Sequence, residues 1–147
     1  MTSQYVPDAD HVARRVSRTK QFRDADDKLL GCLPAAFELR PDEEFLSATW
    51  LDFFDGVRHE QIAKAISSTA GGSKLPKSTA FVIGNVGKIK QACETGGVRI
   101  RVINEPDGKN DAHVALRQWP RDNQELLAII AADAWSETVL AIDYVPT

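Results

Sequence analysis

The chain has 147 residues, with 18 basic and 21 acidic side chains, a formal charge of -3, and 43% hydrophobic and 27% charged residues. One domain of this length buries roughly 70% of its unfolded surface, enough for a core without staples, and the balanced composition excludes disordered, collagen-like and coiled-coil classes. No apolar run approaches the roughly 18 residues of a membrane span. Cys32 and Cys93 carry no CxxC or zinc-finger spacing, so no disulfide framework, metal site or cofactor is signalled. The N-terminal stretch lacks an apolar secretory core, and a cytoplasmic location is expected.

Residues 1–31 are polar. Arg14, Arg15, Arg18, Lys20 and Arg23 stand among Asp8, Asp10, Asp24, Asp26 and Asp27, with few apolar residues between them. This composition predicts a partly mobile N-terminal arm, with residues 32–147 forming a single α+β domain. Ala36–Arg40 alternates like a half-buried strand, and Pro41-Asp42 reads as a turn. Phe45, Trp50, Phe53 and Phe54 fit one helical stripe, so a short helix is expected over 45–54. Ile62, Ala65, Ile66 and Thr69 recur at three and four, predicting a helix over 58–69 that Gly71 ends.

Thr79–Ile83 is a continuous apolar run leading into Gly84-Asn85, a strand exit and an N-cap. The helix that follows places Val86, Ile89 and Cys93 on one stripe and stops at Gly96-Gly97. Val98–Ile103 alternates as a strand, and the pair predicts a compact βαβ unit in which parallel pairing is possible. Turn formers fill 104–111. Residues 112–119 resume as a strand, placing His113, Ala115, Arg117 and Trp119 on one face. Asp122 and Glu125 form a capping arrangement before a helix over 124–135, apolar nearly all round and expected to be the best buried. Residues 139–142 extend that helix or add an edge strand, and Pro146 closes the chain. The whole predicts a mixed β-sheet with helices packed mainly on one face and β-α-β-β-α order over 79–135.

His113 is the strongest catalytic candidate: an imidazole beside Asp111 has the makings of a general base oriented by a carboxylate, with Arg117 on the same strand face and His59 as possible aid. A strand-initial histidine bonded to a turn is the structural alternative. Cys93 near a helix C-terminus and Cys32 in an apolar setting are disfavoured as thiolates. Gly84–Lys88 joins strand to helix where amides can hold phosphate, but lacks both glycine-rich nucleotide-binding spacings. Arg14–Arg23 with Phe22 or Tyr5 has the elements of a single-strand nucleic-acid binder, against which the neighbouring acids and a pI near 5.6 weigh. Asp42–Glu44 and Asp52 with Asp55 read as surface acids rather than metal ligands.

Ala35-Ala36-Phe37 with Phe45-Leu46-Ser47, and Asp111–Leu116 ahead of a closing helix, resemble a group of small bacterial proteins that carry Ala-Phe, Leu-Ser and late Ala-His elements in this order. The resemblance spans about residues 32–135. It implies a bacterial, cytoplasmic, single-domain protein and assigns no activity. The residues themselves favour an accessory protein that acts through a protein partner or as a homo-oligomer, using Trp50, Phe53 and Phe54 with the Arg-rich arm. The alternatives are a small hydrolase or nuclease-like enzyme centred on His113, and nucleic-acid binding through the arm. The enzyme reading requires an imidazole, an acid and a cation to share one cleft; the accessory reading requires dispersed polar groups and an exposed apolar patch.

Overall fold

The computed structural model describes residues 4–144, so Pro146 lies outside the described residues. The α+β single-domain expectation holds: the described residues contain three α-helices, a seven-stranded sheet and a two-stranded hairpin. In chain order the sheet strands are β1 (Gln4–Tyr5), β2 (His11–Val16), β5 (Phe45–Trp50), β6 (Ala80–Asn85), β7 (Arg101–Asn104), β8 (His113–Arg117) and β9 (Glu137–Leu140). The hairpin is β3 (Gln21–Arg23) with β4 (Leu29–Cys32). The helices are α1 (Arg58–Ala70), α2 (Val86–Thr95) and α3 (Gln124–Asp133). No described helix is long and apolar enough to cross a membrane.

The sheet order is β1-β7-β8-β5-β2-β6-β9, and every pairing is antiparallel, correcting the mixed sheet. The β-α-β-β-α order over 79–135 is present, but β6 and β7 are not neighbours. They run in the same direction with β8, β5 and β2 between them. The four strand spacings from β6 to β7 span about 19 Å, which the roughly 15 Å of ten-residue α2 and its exit loop can cross.

The polar arm is also corrected. Within it, β2 is a central strand paired to β5 and β6. Val12 and Val16 enter the core cluster that holds α2 and α3, and Ala13 enters the cluster that holds α1. A six-residue strand needs only three such side chains to be fixed when its backbone is paired on both edges.

Residues 45–54 form strand β5 and a 3-10 turn, Leu51–Phe53, rather than a helix. Leu46, Ala48 and Trp50 are buried and alternate with Phe45 and Ser47, a period of two that the aromatic spacing obscured. Conversely, Pro34–Phe37 is a 3-10 turn, because proline is set for its first position and Ala36 and Phe37 are both buried.

Helix α1 ends at Gly71 with φ 58°, as expected. The cap of α3 is Asn123, whose side chain accepts from the Leu126 N–H at 3.1 Å, rather than Asp122. Only Leu126, Leu127 and Ile130 of α3 are buried, while Ile129 is exposed, so its apolar circumference is not fully covered. Residues 137–140 form the edge strand.

Alternation along the strands separates the two faces. Val12, Leu46, Ala80, Val82, Val102, Val114 and Leu116 pack with α2, α3, Phe37 and the stacked Trp135, whose ring centroid lies 5.0 Å from that of Phe37. Ala13, Phe81 and Ile83 pack under α1 on the other face. The strand side of β5 and β8 beyond α1 carries Phe45, Ser47, His113, Ala115 and Arg117.

Gly84 marks the closest approach of β6 to the Ala134–Trp135 segment: a Cβ there would sit 2.9 Å from the Ala134 carbonyl oxygen and 3.1 Å from the Trp135 ring. Backbone cannot yield as a side-chain tip can. Gly84→Ala is expected to cost about 1–3 kcal/mol, measured as a lower urea midpoint with an unchanged slope.

Candidate functional site

A cleft of about 470 Å³ opens where β2, β5 and β8 pass the C-terminal end of α1. Its floor includes Arg15, Ser47, Thr49 and His113, with Ser68–Gly71 and Ser73 on one wall and residues 107–110 on the other. Thr49 and His113 are cross-strand partners, and Ser47 is paired with Ala115, so Ser47 and His113 lie diagonally across the β5–β8 pair.

Diagonal side chains on one face can meet, and these do: His113 Nε2 lies 3.2 Å from Ser47 Oγ. His113 Nδ1 lies 2.8 Å from the Glu105 carbonyl oxygen. A carbonyl only accepts, so Nδ1 carries the proton and donates; the neutral ring then offers Nε2 as acceptor to the serine hydroxyl. Both side chains are half-buried and open to the cleft.

Arginines fix both partners. Arg14 projects to the opposite face, where its Nε donates to the Ala36 carbonyl and its Nη1 to the Ser47 carbonyl, each at 2.8 Å. The β2–β5 ladder pairs only residues 12–13 with 49–50, and the guanidinium occupies the next carbonyl of β5. Burial lowers the Arg14 pKa to about 10, which leaves it charged at neutral pH.

Arg117 donates from Nε and Nη2 to the Glu105 carboxylate at 2.6 and 2.7 Å and lies over the Phe45 ring at 4.9 Å. The Phe45 ring meets His113 edge-on at 5.7 Å. Glu105 therefore orients the imidazole through its carbonyl while Arg117 locks its side chain.

Beneath the α1 wall, Thr49 Oγ1 lies 2.8 Å from Thr69 Oγ1 and accepts from Asn110 Nδ2 at 2.9 Å. The buried Thr49 hydroxyl and the half-buried Thr69 hydroxyl are satisfied within the fold, and Asn110 ties the 107–110 loop to the sheet.

The remaining candidates are dispersed. Asp111 makes no side-chain contact with His113 among the described residues; its carbonyl accepts from Asn104. His59 packs on Tyr144 at 4.6 Å, at the N-terminal end of α1. Trp119 does not share the His113 face: Gln118 takes φ 62°, the strand ends, and Trp119 is buried with its Nε1 donating to the Phe37 carbonyl.

Arg18 pairs with Asp27 at 2.5 Å, and Arg23 donates to Gln21 and to the Asp27 carbonyl. Lys20 is half-buried at the end of a 3-10 turn. With Arg14 turned to the opposite face and Arg15 in the cleft, the five cations form no common stripe. Trp50 is buried with its indole N–H on Asp10, Phe54 is half-buried, and Phe53 is exposed.

Gly84–Lys88 forms no phosphate cradle. Asn85 accepts from the Lys88 N–H, and the Val86 and Gly87 N–H groups donate to the carbonyls of Asp10 and Asp8. Burial, and secondarily Glu94, pushes the Cys93 thiol up to about 12; burial raises Cys32 as well. Among the described residues no three His, Cys, Asp or Glu side chains gather as a metal site.

Sequence reasoning missed Ser47 as the partner of His113, because the helical reading of 45–54 hid the strand alternation that faces it toward β8. It also missed Glu105, whose role runs through its backbone carbonyl. No protein-family model, curated protein or solved structure matches the chain.

The hydrogen bonds from Arg117 hold the Glu105 carboxyl below its ordinary value of 4.5. A depressed carboxylate pKa contributes stability above the unfolded value, and that contribution is lost as pH falls through the folded value. Glu105→Gln should therefore cost about 1 kcal/mol of stability at pH 7 for a pair at the solvent boundary, read as a lower urea midpoint with an unchanged slope. The difference from the parent chain should vanish in acid below the depressed value.

Proposed function

We propose that the protein is a small hydrolase in which Ser47 is the nucleophile and His113 the general base. The observation that carries this reading is the Ser47–His113–Glu105 carbonyl relay on the floor of an open cleft. A serine hydroxyl is a weak nucleophile unless an adjacent base accepts its proton, and that base works best when a third group fixes its tautomer. His113 and the cations Arg15 and Lys109 line the same cleft, and the one acid among the lining residues, Asp107, accepts from the Lys109 N–H within its own loop.

In this reading Ser47 Oγ attacks the carbonyl carbon of an ester, and its proton passes to His113 Nε2. As the tetrahedral adduct collapses, the bond to the leaving oxygen breaks and His113 delivers the proton to that oxygen. Water then attacks the acyl group on Ser47, giving its proton to Nε2. The acid product departs as Oγ recovers the proton.

An alkyl fluorophosphonate should phosphonylate Ser47 with loss of fluoride, located by peptide mass spectrometry. Hydrolysis of 4-nitrophenyl hexanoate should fall by about 100-fold or more in Ser47→Ala and in His113→Gln. Labelling at another residue, or undiminished turnover in both variants, rejects the assignment.

Protein contact is a second reading, supported by the exposure of Phe22, Leu30 and Leu33 on and beside the β3–β4 hairpin, at 52%, 52% and 36%. Self-association through this patch should appear as concentration-dependent sedimentation that Phe22→Asp with Leu30→Asp abolishes. A single monomeric species at every concentration counts against it.

A further inference from the structure

We infer that the cleft takes an ester bearing a second, anionic group, a carboxylate or phosphate several atoms from the scissile bond. The inference rests on the Ser47–His113 reading and adds its substrate class. Two cationic side chains line the cleft, Arg15 and Lys109, while Arg14 borders it only from the opposite face of β2. The Arg14 guanidinium is committed to the carbonyls of Ala36 and Ser47.

Arg15 and Lys109 differ, because neither side chain makes a hydrogen bond or ion pair with any described residue. Elsewhere Arg18, Lys90, Arg58 and Arg117 hold ion pairs with Asp27, Asp8, Asp52 and Glu105, while Lys20, Lys28, Arg40, Lys74, Lys77, Lys88 and Arg99 are as free as Arg15 and Lys109 among the described residues. What sets the latter two apart is that they share a concave site with Ser47 and His113. Asp107, the one acid among the lining residues, is turned to its own loop, where its carboxylate accepts from the Lys109 N–H at 3.4 Å.

The position of Lys109 is set by backbone. Gly71 closes α1 in the left-handed region, and a Cβ there would come within 3.1 Å of Lys109 Cδ. The lysine stem thus lies across the last turn of α1, beside the wall that carries Ser68, Thr69 and Ser73.

Helix C-termini favour cations, so this site retains a lysine readily without an acidic partner. Hydroxyls can hydrogen-bond a ligand but cannot neutralise its charge. Two uncommitted cations on a concave polar wall raise the local concentration of anions and offer charge-assisted hydrogen bonds. The alanines at the cleft's edge, Ala13 and Ala70, give little to a long neutral chain.

The test compares kcat/KM for mono-(4-nitrophenyl) adipate and for the similarly sized neutral 4-nitrophenyl hexanoate. The chains compared are the parent, Lys109→Glu, Lys109→Met, Arg15→Gln and the control Lys88→Glu, whose exposed side chain lies on α2 across the sheet. The parent should favour the anionic ester by about tenfold, a preference that Lys109→Glu removes or inverts and that added salt narrows. Lys109→Met and Arg15→Gln should each reduce it, and Lys88→Glu should leave it in place.

Equal efficiency on the two esters, or a preference that Lys109→Glu leaves unmoved, overturns the substrate class while leaving the nucleophile assignment standing. If neither ester is hydrolysed and Ser47 resists the fluorophosphonate, the nucleophile assignment fails instead. Titration with sodium adipate then decides the anion site. Amide shifts over 107–113 that disappear in Lys109→Glu support it, and unmoved amides overturn it.

Discussion

A seven-stranded sheet is wider than its three helices can cover. At about 4.8 Å per strand the sheet spans close to 29 Å, whereas a helix with its side chains covers about 10–12 Å. Two helices, α2 and α3, together with the Phe37 turn, close one face. On the other, α1 alone covers the β2–β6 region and the Thr49 end of β5, and the β8–β7 side is left without a helix above it. The open cleft follows from this mismatch, since the boundary between the covered and uncovered halves of that face is where α1 ends at Gly71 and where Ser47 and His113 come to the surface beside the buried Thr49. Thr69 bonded to Thr49 is the seam: its hydroxyl fastens the last turn of α1 to β5.

The same constraint explains the division of labour among arginines that are adjacent in sequence. In a strand, consecutive side chains point to opposite faces. Arg14 therefore enters the side occupied by α2 and α3 and must satisfy its donors there, which it does on the carbonyls of Ala36 and Ser47. Arg15 emerges on the open side, where water and any ligand are its available partners. One residue thereby stiffens the backbone under Ser47 from behind while its neighbour faces the cleft in front. A run of basic residues that suggests a nucleic-acid arm by composition is thus divided by strand geometry into a structural member and a surface member.

Legibility in the sequence followed the same physics. Segments whose apolar period was uncontested were readable: α1 from Ile62, Ala65 and Ile66, the β6–α2 junction from the apolar run before Asn85, and β8 from its alternation. Segments with two competing periods were not. Phe45, Trp50, Phe53 and Phe54 satisfy a helical stripe, yet Leu46, Ala48 and Trp50 satisfy a strand, and pairing with β2 and β8 on both edges settled it. In β2, Val12, Arg14 and Val16 hold the inward phase together, a signal masked because the middle member is charged. Sheet order was beyond local patterning altogether, since the placement of β6 four positions from β7 depends on the long-range insertion of β2 and β5.

Those long-range insertions are also what turn His113 from a residue type into a site. In the sequence, the nearest acid is Asp111, and adjacency suggests that pair; in the fold, Asp111 lies in the turn before β8 and makes no side-chain hydrogen bond to His113, while strand pairing brings in Ser47 from 66 residues away. The orienting group is a main-chain carbonyl, which every residue possesses and which no sequence pattern can single out. Its position is nonetheless specific, because Glu105 is held by two charge-assisted hydrogen bonds from Arg117, and Arg117 is held in turn against Phe45, the ring that flanks the imidazole. The chemistry of the cleft therefore depends on register: a slip of one residue between β5 and β8 would send Ser47 or His113 into the core and break the relay at once.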